Sequence, residues 1–391
     1  MGDKTAIEWT DATWNCLIGC EQCGDGCDHC YAINVVHRGM SPQHVGLTVK
    51  PEGGPVDWTG EVREVPSMLD RPLRWRKPRR IFVNSLSDLF HADVRTEFIV
   101  DVFAVMALAS QHTFQILTKR PQRMAAVLNN PDFEINVADR VYDIARHGLN
   151  GYQLPRQQSA NLIRTENSWQ MPWRDRWPLP GVWLGTSIES NKYAFRANHL
   201  RNTPAAVRWI SAEPLIGPLD ELDLTNIDWV VAGGESGPGA RPMHPEWVRD
   251  LRDRCVNPEW CIDCATCGND ASRVTNCAEP GDPDRWEYEC GDGHVTKRPG
   301  PAYLFKQWGS WAPSDQCGIR NYKTSKHRSR YEVRRFQPDG TPYNPVGSDV
   351  HPTEPGGYAA PGSASLMNVG KKAAGRMLDG RTWDEYPEVT K

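Results

Sequence analysis

Five cysteines, Cys16, Cys20, Cys23, Cys27 and Cys30, fall within fifteen residues near the amino terminus. A loop carrying three thiolates can hold three irons of a four-iron cube, leaving the fourth iron open for the amino and carboxylate groups of S-adenosylmethionine. Three registers stay open: Cys16/Cys20/Cys23 and Cys23/Cys27/Cys30 both read C-x3-C-x2-C, whereas Cys20/Cys27/Cys30 has a wider first gap. A closed tetrahedral zinc site would instead use four ligands and recruit Cys16 or Cys23 as the fourth. A second group, Cys261, Cys264 and Cys267 at C-x2-C-x2-C with Cys277 and Cys290 beyond, has enough thiols to close a structural zinc site or an auxiliary iron–sulfur cluster.

The compartment decides how twelve cysteines are read. The start, Met1 to Trp9, has no apolar core and no small-residue cleavage site, and no apolar run reaches the ~18 residues of a membrane helix. These features predict a cytoplasmic protein with no membrane partner, where clustered thiols serve metals or catalysis rather than disulfides. A net charge of −4 gives no overall pull toward nucleic acid. Two stretches are nonetheless basic: Arg71, Arg74, Arg76, Lys77, Arg79 and Arg80 around Trp75, and a second running from Arg320 to Arg335.

The elements that must position these residues follow from short apolar runs. Ile81–Asn84, Phe114–Leu117, Val182–Gly185, Val207–Ile210, Trp229–Ala232 and Tyr303–Phe305 each read as buried parallel strands, after a first strand at Ile7–Trp9. Helical spacing of Phe98, Ile99, Val102, Phe103 and Met106, and helices opened by Pro121 and Pro245, alternate with them. The repeating β-α unit suits a parallel barrel or a doubly wound sheet, and the fold class expected is α/β, a partial or full parallel (β/α) barrel, which the motif resemblance assigns to the radical-S-adenosylmethionine type, with a cysteine-rich insertion. Barrel residues span 1–255, interrupted by a polar insertion near 130–180; the cysteine-rich insertion occupies 256–300, the last strand and second basic stretch 301–336, and a flexible linker with a basic carboxy-terminal segment 337–391. That final segment has the Lys, Arg and Trp to dock onto the body or onto a phosphate, and the choice stays open.

In a parallel barrel the loops after the strands converge on one mouth. Ser85 and Asp88 follow one strand, Thr186 and Glu189 another, Glu213 a third, and Gly233, Gly234, Glu235 and Ser236 a fourth. Together they offer donors, acceptors and close backbone approach to a cofactor bearing adenine, ribose and an amino acid. Lys119 and Arg120, after the run at 114–117, are candidates for a phosphate or a substrate carboxylate.

The segment Glu8-Trp9-Thr10-Asp11-Ala12-Thr13-Trp14-Asn15, followed by Gly19-Cys20 and Gly26-Cys27-Asp28-His29-Cys30-Tyr31-Ala32, resembles a phage and prophage family allied to the radical S-adenosylmethionine superfamily. The resemblance continues through Phe82–His91, Leu117–Pro121, Leu184–Glu189, Ser211–Leu215, Gly233–Gly237 and Phe305–Gly309, and does not supply the two insertions. It implies that Cys20, Cys27 and Cys30 hold a [4Fe–4S] cluster, with Cys16 and Cys23 as extras. The expected activity is radical chemistry begun with S-adenosylmethionine, a reductant such as flavodoxin or ferredoxin, and a nucleic-acid base or nucleotide as substrate, with phosphate contacts from the basic stretches. Two rivals remain: a zinc-stapled nucleic-acid-binding protein without catalysis, and a metal-assisted hydrolase.

Overall fold

The computed structural model describes residues 5–155, 177–256, 300–313 and 370–387, together with the backbone of strands at 262–263, 270–276, 286–290, 295–297, 333–336 and 364–368. The chain divides into two compact units, Met1–Glu213 with Gly237–Gly239 and Glu388–Lys391, and Pro214–Ser236 with Ala240–Pro387.

In the first unit five strands pair in parallel and in chain order: β1 (Ala12–Trp14), β2 (Arg80–Val83), β3 (Thr113–Thr118), β4 (Val182–Ser187) and β5 (Val207–Ala212). A doubly wound sheet would reverse its order at a switch point, so unbroken chain order is that of a partial (β/α) barrel. The strands are apolar on both faces because helices cover parallel sheets; every residue of β4 is buried. Helix α2 (Thr96–Leu108) follows β2, and α3 (Pro121–Leu128) follows β3 with proline in its first turn. Helix α1 (Tyr31–His37) buries Ala32, Ile33 and Val36 against Ile18, Leu47, Trp58, Val65 and Leu86.

Two expectations are corrected. Ile7–Trp9 is not a strand; the sheet begins at Ala12, and Trp9 is apolar because its ring lies 4.7 Å from Phe82 and 5.2 Å from Trp209. The polar stretch after residue 130 opens with a long helix, α4 (Pro131–His147), capped by the Asn130 side chain accepting from Asp132 N at 2.9 Å. Its buried face, Phe133, Val137, Val141 and Ile144, packs on α2 through Phe103, 5.2 Å from Phe133. Four apolar residues at helical spacing suffice for that face, so the polar remainder hid it.

The second unit pairs β6 (Trp229–Gly233) in parallel with β7 (Ala302–Gln307). Helix α5 (Pro245–Val256) buries Val248, Leu251 and Cys255. The carboxy-terminal segment docks on this body: Trp383 O accepts from Phe305 N at 2.9 Å, Met377 O from Trp308 Nε1 at 2.8 Å, and Asp379 pairs with Arg249 and Arg252. Within the cysteine-rich insertion the backbone forms a four-stranded antiparallel sheet, Ile262–Asp263, Asp270–Asn276, Trp286–Cys290 and Val295–Lys297. No described helix is long and apolar enough to cross a membrane.

Candidate metal centre

The cysteine loop leaves β1 and is fastened, point by point, to the segments that follow β2, β3 and β4. Asn84, just past β2, takes a left-handed backbone (φ 60°) that turns its side chain back, so its Oδ1 accepts from Leu17 N at 3.2 Å and from the Cys16 thiol at 3.5 Å. Gly19 N donates to Leu86 O at 3.2 Å, and Ser87 Oγ to Leu17 O at 2.8 Å. Gly19 needs its φ of 96°, and a Cβ there would meet Leu47 Cδ2 at 3.3 Å and the Glu61 carbonyl. Ser85 Oγ donates to Asn15 Oδ1 at 3.1 Å, while Ser85 O accepts from Tyr31 Oη at 2.8 Å, tying the start of α1 to the β2 loop.

Beyond Cys23 the loop is held by the β4 side. Tyr193 Oη accepts from Asp25 N at 2.9 Å, Lys192 Nζ lies 2.9 Å from the Asp25 carboxylate, and Cys27 N donates to Gly24 O at 2.8 Å. Gly26 lies against the Glu189 side chain, whose Cδ and Cγ would be 2.7 Å from an added Cβ.

Two buried acids organise the charge. Asp88, 5% exposed, accepts from Thr118 Oγ1 at 2.7 Å, Phe90 N at 2.9 Å, Lys119 N at 3.1 Å and Arg120 Nη1 at 3.2 Å. Glu189, fully buried, accepts from Lys119 Nζ and, at 3.0 Å, from Arg196 Nη1, which also donates to Ser187 O at 2.8 Å. Thr186 Oγ1 donates to Thr118 O at 2.9 Å and so links the ends of β3 and β4. Each acid thereby presents a cation to the thiols: Arg120 Nη1 lies 3.9 Å from Cys20 Sγ, and Lys119 acts electrostatically on Cys27.

The thiols differ accordingly. Cys27 is buried, yet a hydrogen bond from Cys23, helped by the Lys119 ammonium, brings its pKa down to about 6. Cys23, exposed at the loop tip, moves upward because its proton is held in that bond. Burial pushes Cys20 up to about 12 and raises Cys16 and Cys30. Burial alone would lower the Lys119 ammonium, but Glu189 beside it holds the pKa above the ordinary value. His91, buried at the edge of the site, is lowered by burial and by Arg120.

The structure therefore brings together Cys16, Cys20, Cys23, Cys27, Cys30, Ser85, Asp88, Thr186, Glu189, Lys119 and Arg120. Glu213, half-buried after β5, acts on Tyr31 electrostatically. Gly233, Gly234, Glu235 and Ser236 belong to the second unit, where Glu235 closes its own loop by accepting from Arg241 N at 2.7 Å and Arg241 Nη2 at 2.6 Å. Cys261, Cys264, Cys267 and Cys277 lie outside the described residues, and Cys290 ends a strand whose side chains are not described. The first basic stretch lies away from the site. Arg71 and Arg79 stack on Trp75 at 5.9 and 4.9 Å, and Trp75 packs 6.1 Å from His112, before β3, so this strip stands at the amino-terminal strand ends, opposite the cysteine loop. The second stretch falls on residues 320–332, outside the described residues, and on a strand at 333–336 described by its backbone.

Sequence reasoning missed Tyr193, Arg196 and Lys192 as supports of the loop. They follow Glu189 within seven residues, but no spacing rule marks them. Asn84 carried a signal in its residue type, since asparagine tolerates a left-handed backbone.

The donor chemistry fits an iron–sulfur cluster: three soft thiols on one loop, two of them facing cations that favour an anionic cluster. Among the described residues no three Cys, His, Asp or Glu side chains already converge on a metal position. A parallel α/β unit whose strand-end loops grip a five-cysteine segment is the class that fold and site define. The family model described as protein of unknown function (DUF5131) matches residues 4–262 and 283–387, and the chain belongs to that family. The match passes over residues 263–282, which contain Cys264, Cys267 and Cys277. No curated protein and no solved structure matches the chain.

Proposed function

We propose that the protein is a radical S-adenosylmethionine enzyme whose [4Fe–4S] cluster is held by Cys20, Cys27 and Cys30. The observation that carries this reading is the placing of half-buried cations beside the thiols, Arg120 3.9 Å from Cys20 and Lys119 acting electrostatically on Cys27, at the carboxy-terminal ends of parallel strands. Cations beside the thiols favour the thiolate forms that a metal needs, and a cluster that must accept an electron is stabilised by them further.

When bound, a four-iron cluster with one iron free of protein ligand takes the amino and carboxylate groups of S-adenosylmethionine and passes the electron that splits its C–S bond. The chain's own residues do the rest. Cys27, already disposed to lose its proton near neutral pH, is the first thiolate available; Cys20 and Cys30, raised by burial, lose theirs on metal binding. Cys20, Cys27 and Cys30 would hold the cluster on a loop whose backbone Asn84, Ser87 and Tyr193 tie to the strand ends. Asp88 and Glu189 hold Arg120 and Lys119 at the loop and so serve as supports for the charge around the cluster. The electron comes from a flavodoxin or a ferredoxin, and Cys16 and Cys23 stay outside the ligand set.

Substrate remains at the level of class. A nucleic-acid base or nucleotide is the candidate, but the strip around Trp75 stands at the wrong strand ends to present one to the loop. The deciding experiment is anaerobic reconstitution with iron and sulfide, followed by reduction in the presence of S-adenosylmethionine. The expected product is a brown protein with about four irons for this site that yields 5′-deoxyadenosine. A colourless protein holding one tetrahedral zinc on four loop thiolates would overturn the proposal.

A further inference from the structure

From Arg71 to Arg79 the chain reads Arg-Pro-Leu-Arg-Trp-Arg-Lys-Pro-Arg, with five cations and no acid, and the next carboxylate along the sequence is Asp88. The structure orders this run around one ring. Trp75, 8% exposed, is pinned through its backbone: its N donates to Pro72 O at 3.2 Å, and its O accepts from Gln111 Nε2 at 3.1 Å. Arg71 and Arg79 lie over the ring at 5.9 and 4.9 Å, and Arg74 lies 5.1 Å from the ring of Tyr152. Stacking on an aromatic ring sets the direction of long side chains that are otherwise costly to order. Of the acids beside the strip, Asp70 holds Arg74 at 2.5 Å and Asp11 holds Arg80 at 3.2 Å. Arg76 and Lys77, between the stacked arginines, are exposed and have no partner among the described residues.

We propose that this strip is a sequence-independent anchor for the phosphodiester backbone of a nucleic acid, separate from the cysteine loop. Its chemistry selects that partner. A docked protein or a membrane surface is held by apolar side chains at the centre of the contact, and none of the large apolar residues described as exposed belongs to the strip. Phosphates need only cations and N–H donors, and the planar fork of arginine matches their oxygens. Trp75 is buried, so it does not serve as a platform on which a base stacks, and the strip reads charge rather than sequence. On a chain of net charge −4 such an anchor is a local feature, and its binding falls steeply with salt. The anchor rests on neither the cluster nor S-adenosylmethionine: it stands at the opposite strand ends and holds a polymer there whether or not the loop carries iron.

The test measures binding of the full chain to a short labelled DNA duplex of mixed sequence and to a short single-stranded RNA, by fluorescence anisotropy over a salt series. Each cation that meets a duplex phosphate contributes about −0.9 to the slope of log affinity against log salt. Arg76→Gln with Lys77→Gln should therefore flatten the slope by about 1.8 and weaken duplex binding roughly 60-fold near 0.1 M salt. Both side chains are exposed, so the unfolding temperature of the double variant should match that of the parent. Lys50→Gln, at an equally exposed cation outside the strip, should leave affinity and slope unchanged, as should shuffling the duplex sequence. Binding to DNA, to RNA or to both supports the anchor, and the tighter of the two identifies its polymer. Binding to neither, equal weakening by Lys50→Gln, or no effect of the double variant would overturn it. So would binding only to polyglutamate or to vesicles containing phosphatidylserine. Iron reconstitution of the same samples is a separate reading: protein that never turns brown yet binds through the strip removes the cluster assignment and leaves the anchor standing.

Discussion

Gly26→Ala tests whether Glu189 is the fixed wall against which the cysteine loop is packed. Gly26 does not occupy the left-handed region, so alanine meets no backbone penalty and the effect isolates side-chain packing. The new Cβ would stand 2.7 Å from both Cδ and Cγ of Glu189, far inside van der Waals contact. Glu189 cannot step aside without cost, because Lys119 and Arg196 hold its two oxygens and it is fully buried. Overpacking of this kind costs about 1–3 kcal/mol. For a unit of this size a loss of about 2 kcal/mol lowers the unfolding temperature by roughly 4–8 °C. Glu189→Asp, one methylene shorter, weakens the pair with Lys119 when made alone but makes room when combined with Gly26→Ala. The four proteins form a double-mutant cycle, with an expected favourable coupling of about 1 kcal/mol or more. Thermal unfolding of the metal-free proteins followed by circular dichroism reads it. An unfolding temperature for Gly26→Ala equal to that of the parent, or strict additivity in the double variant, would refute the packing argument.

Alkylation of metal-free protein by iodoacetamide should show Cys27 reacting with a midpoint near pH 6, well below any other loop thiol, and Lys119→Met should move that midpoint upward; mass spectrometry of quenched samples reads both. The same shift is linked to stability. A Cys27 pKa of about 6 folded against the ordinary 9.0 means that the unfolded chain binds more protons between those values, so Cys27 adds stability as pH rises from 6 to 9. Above pH 9 the raised thiols Cys16, Cys20 and Cys23 reverse the slope, and denaturant midpoints across this range should pass through a maximum. Arg120→Met strips Asp88 of its cation and should destabilise the metal-free protein by up to about 3 kcal/mol, with Arg120→Lys losing less, as read by urea denaturation. Asp379→Asn breaks a partly exposed pairing with Arg249 and Arg252 and should cost only about 0.5–1 kcal/mol, an amount that shrinks in high salt. Cys27→Ala should lose the reconstituted cluster while Cys16→Ala keeps it, with iron content and absorbance as the measurement.

Much of the parallel sheet was legible because buried parallel strands are short apolar runs, and all six runs from Ile81 to Phe305 became strands. The first strand was misread for a physical reason: Trp9 is buried by aromatic packing, and apolarity alone does not distinguish that from pairing. Helix α4 was hidden because only one narrow face is apolar. At the site, Asp88, Lys119, Arg120 and Glu189 were visible as polar residues just past strands. What could not be seen was their pairing. Which acid meets which base depends on the lateral order of β2, β3 and β4, a tertiary fact with no signature in local spacing.

That pairing changes what the acids can be doing. Read as strand-end carboxylates, Asp88 and Glu189 are natural acceptors for the ribose or amino group of a cofactor. In the fold Asp88 has already accepted four hydrogen bonds from the chain itself, and Glu189 is enclosed by Lys119 and Arg196. A carboxylate so committed has little capacity left for a ligand, and releasing it would strand a buried cation. Their effect reaches the loop one step removed, as two parallel arrangements of acid, cation and thiol: Asp88, Arg120, Cys20 and Glu189, Lys119, Cys27. The cysteines and their cations therefore form a single electrostatic unit, in which the strand ends fix the charge and the loop supplies the sulfur.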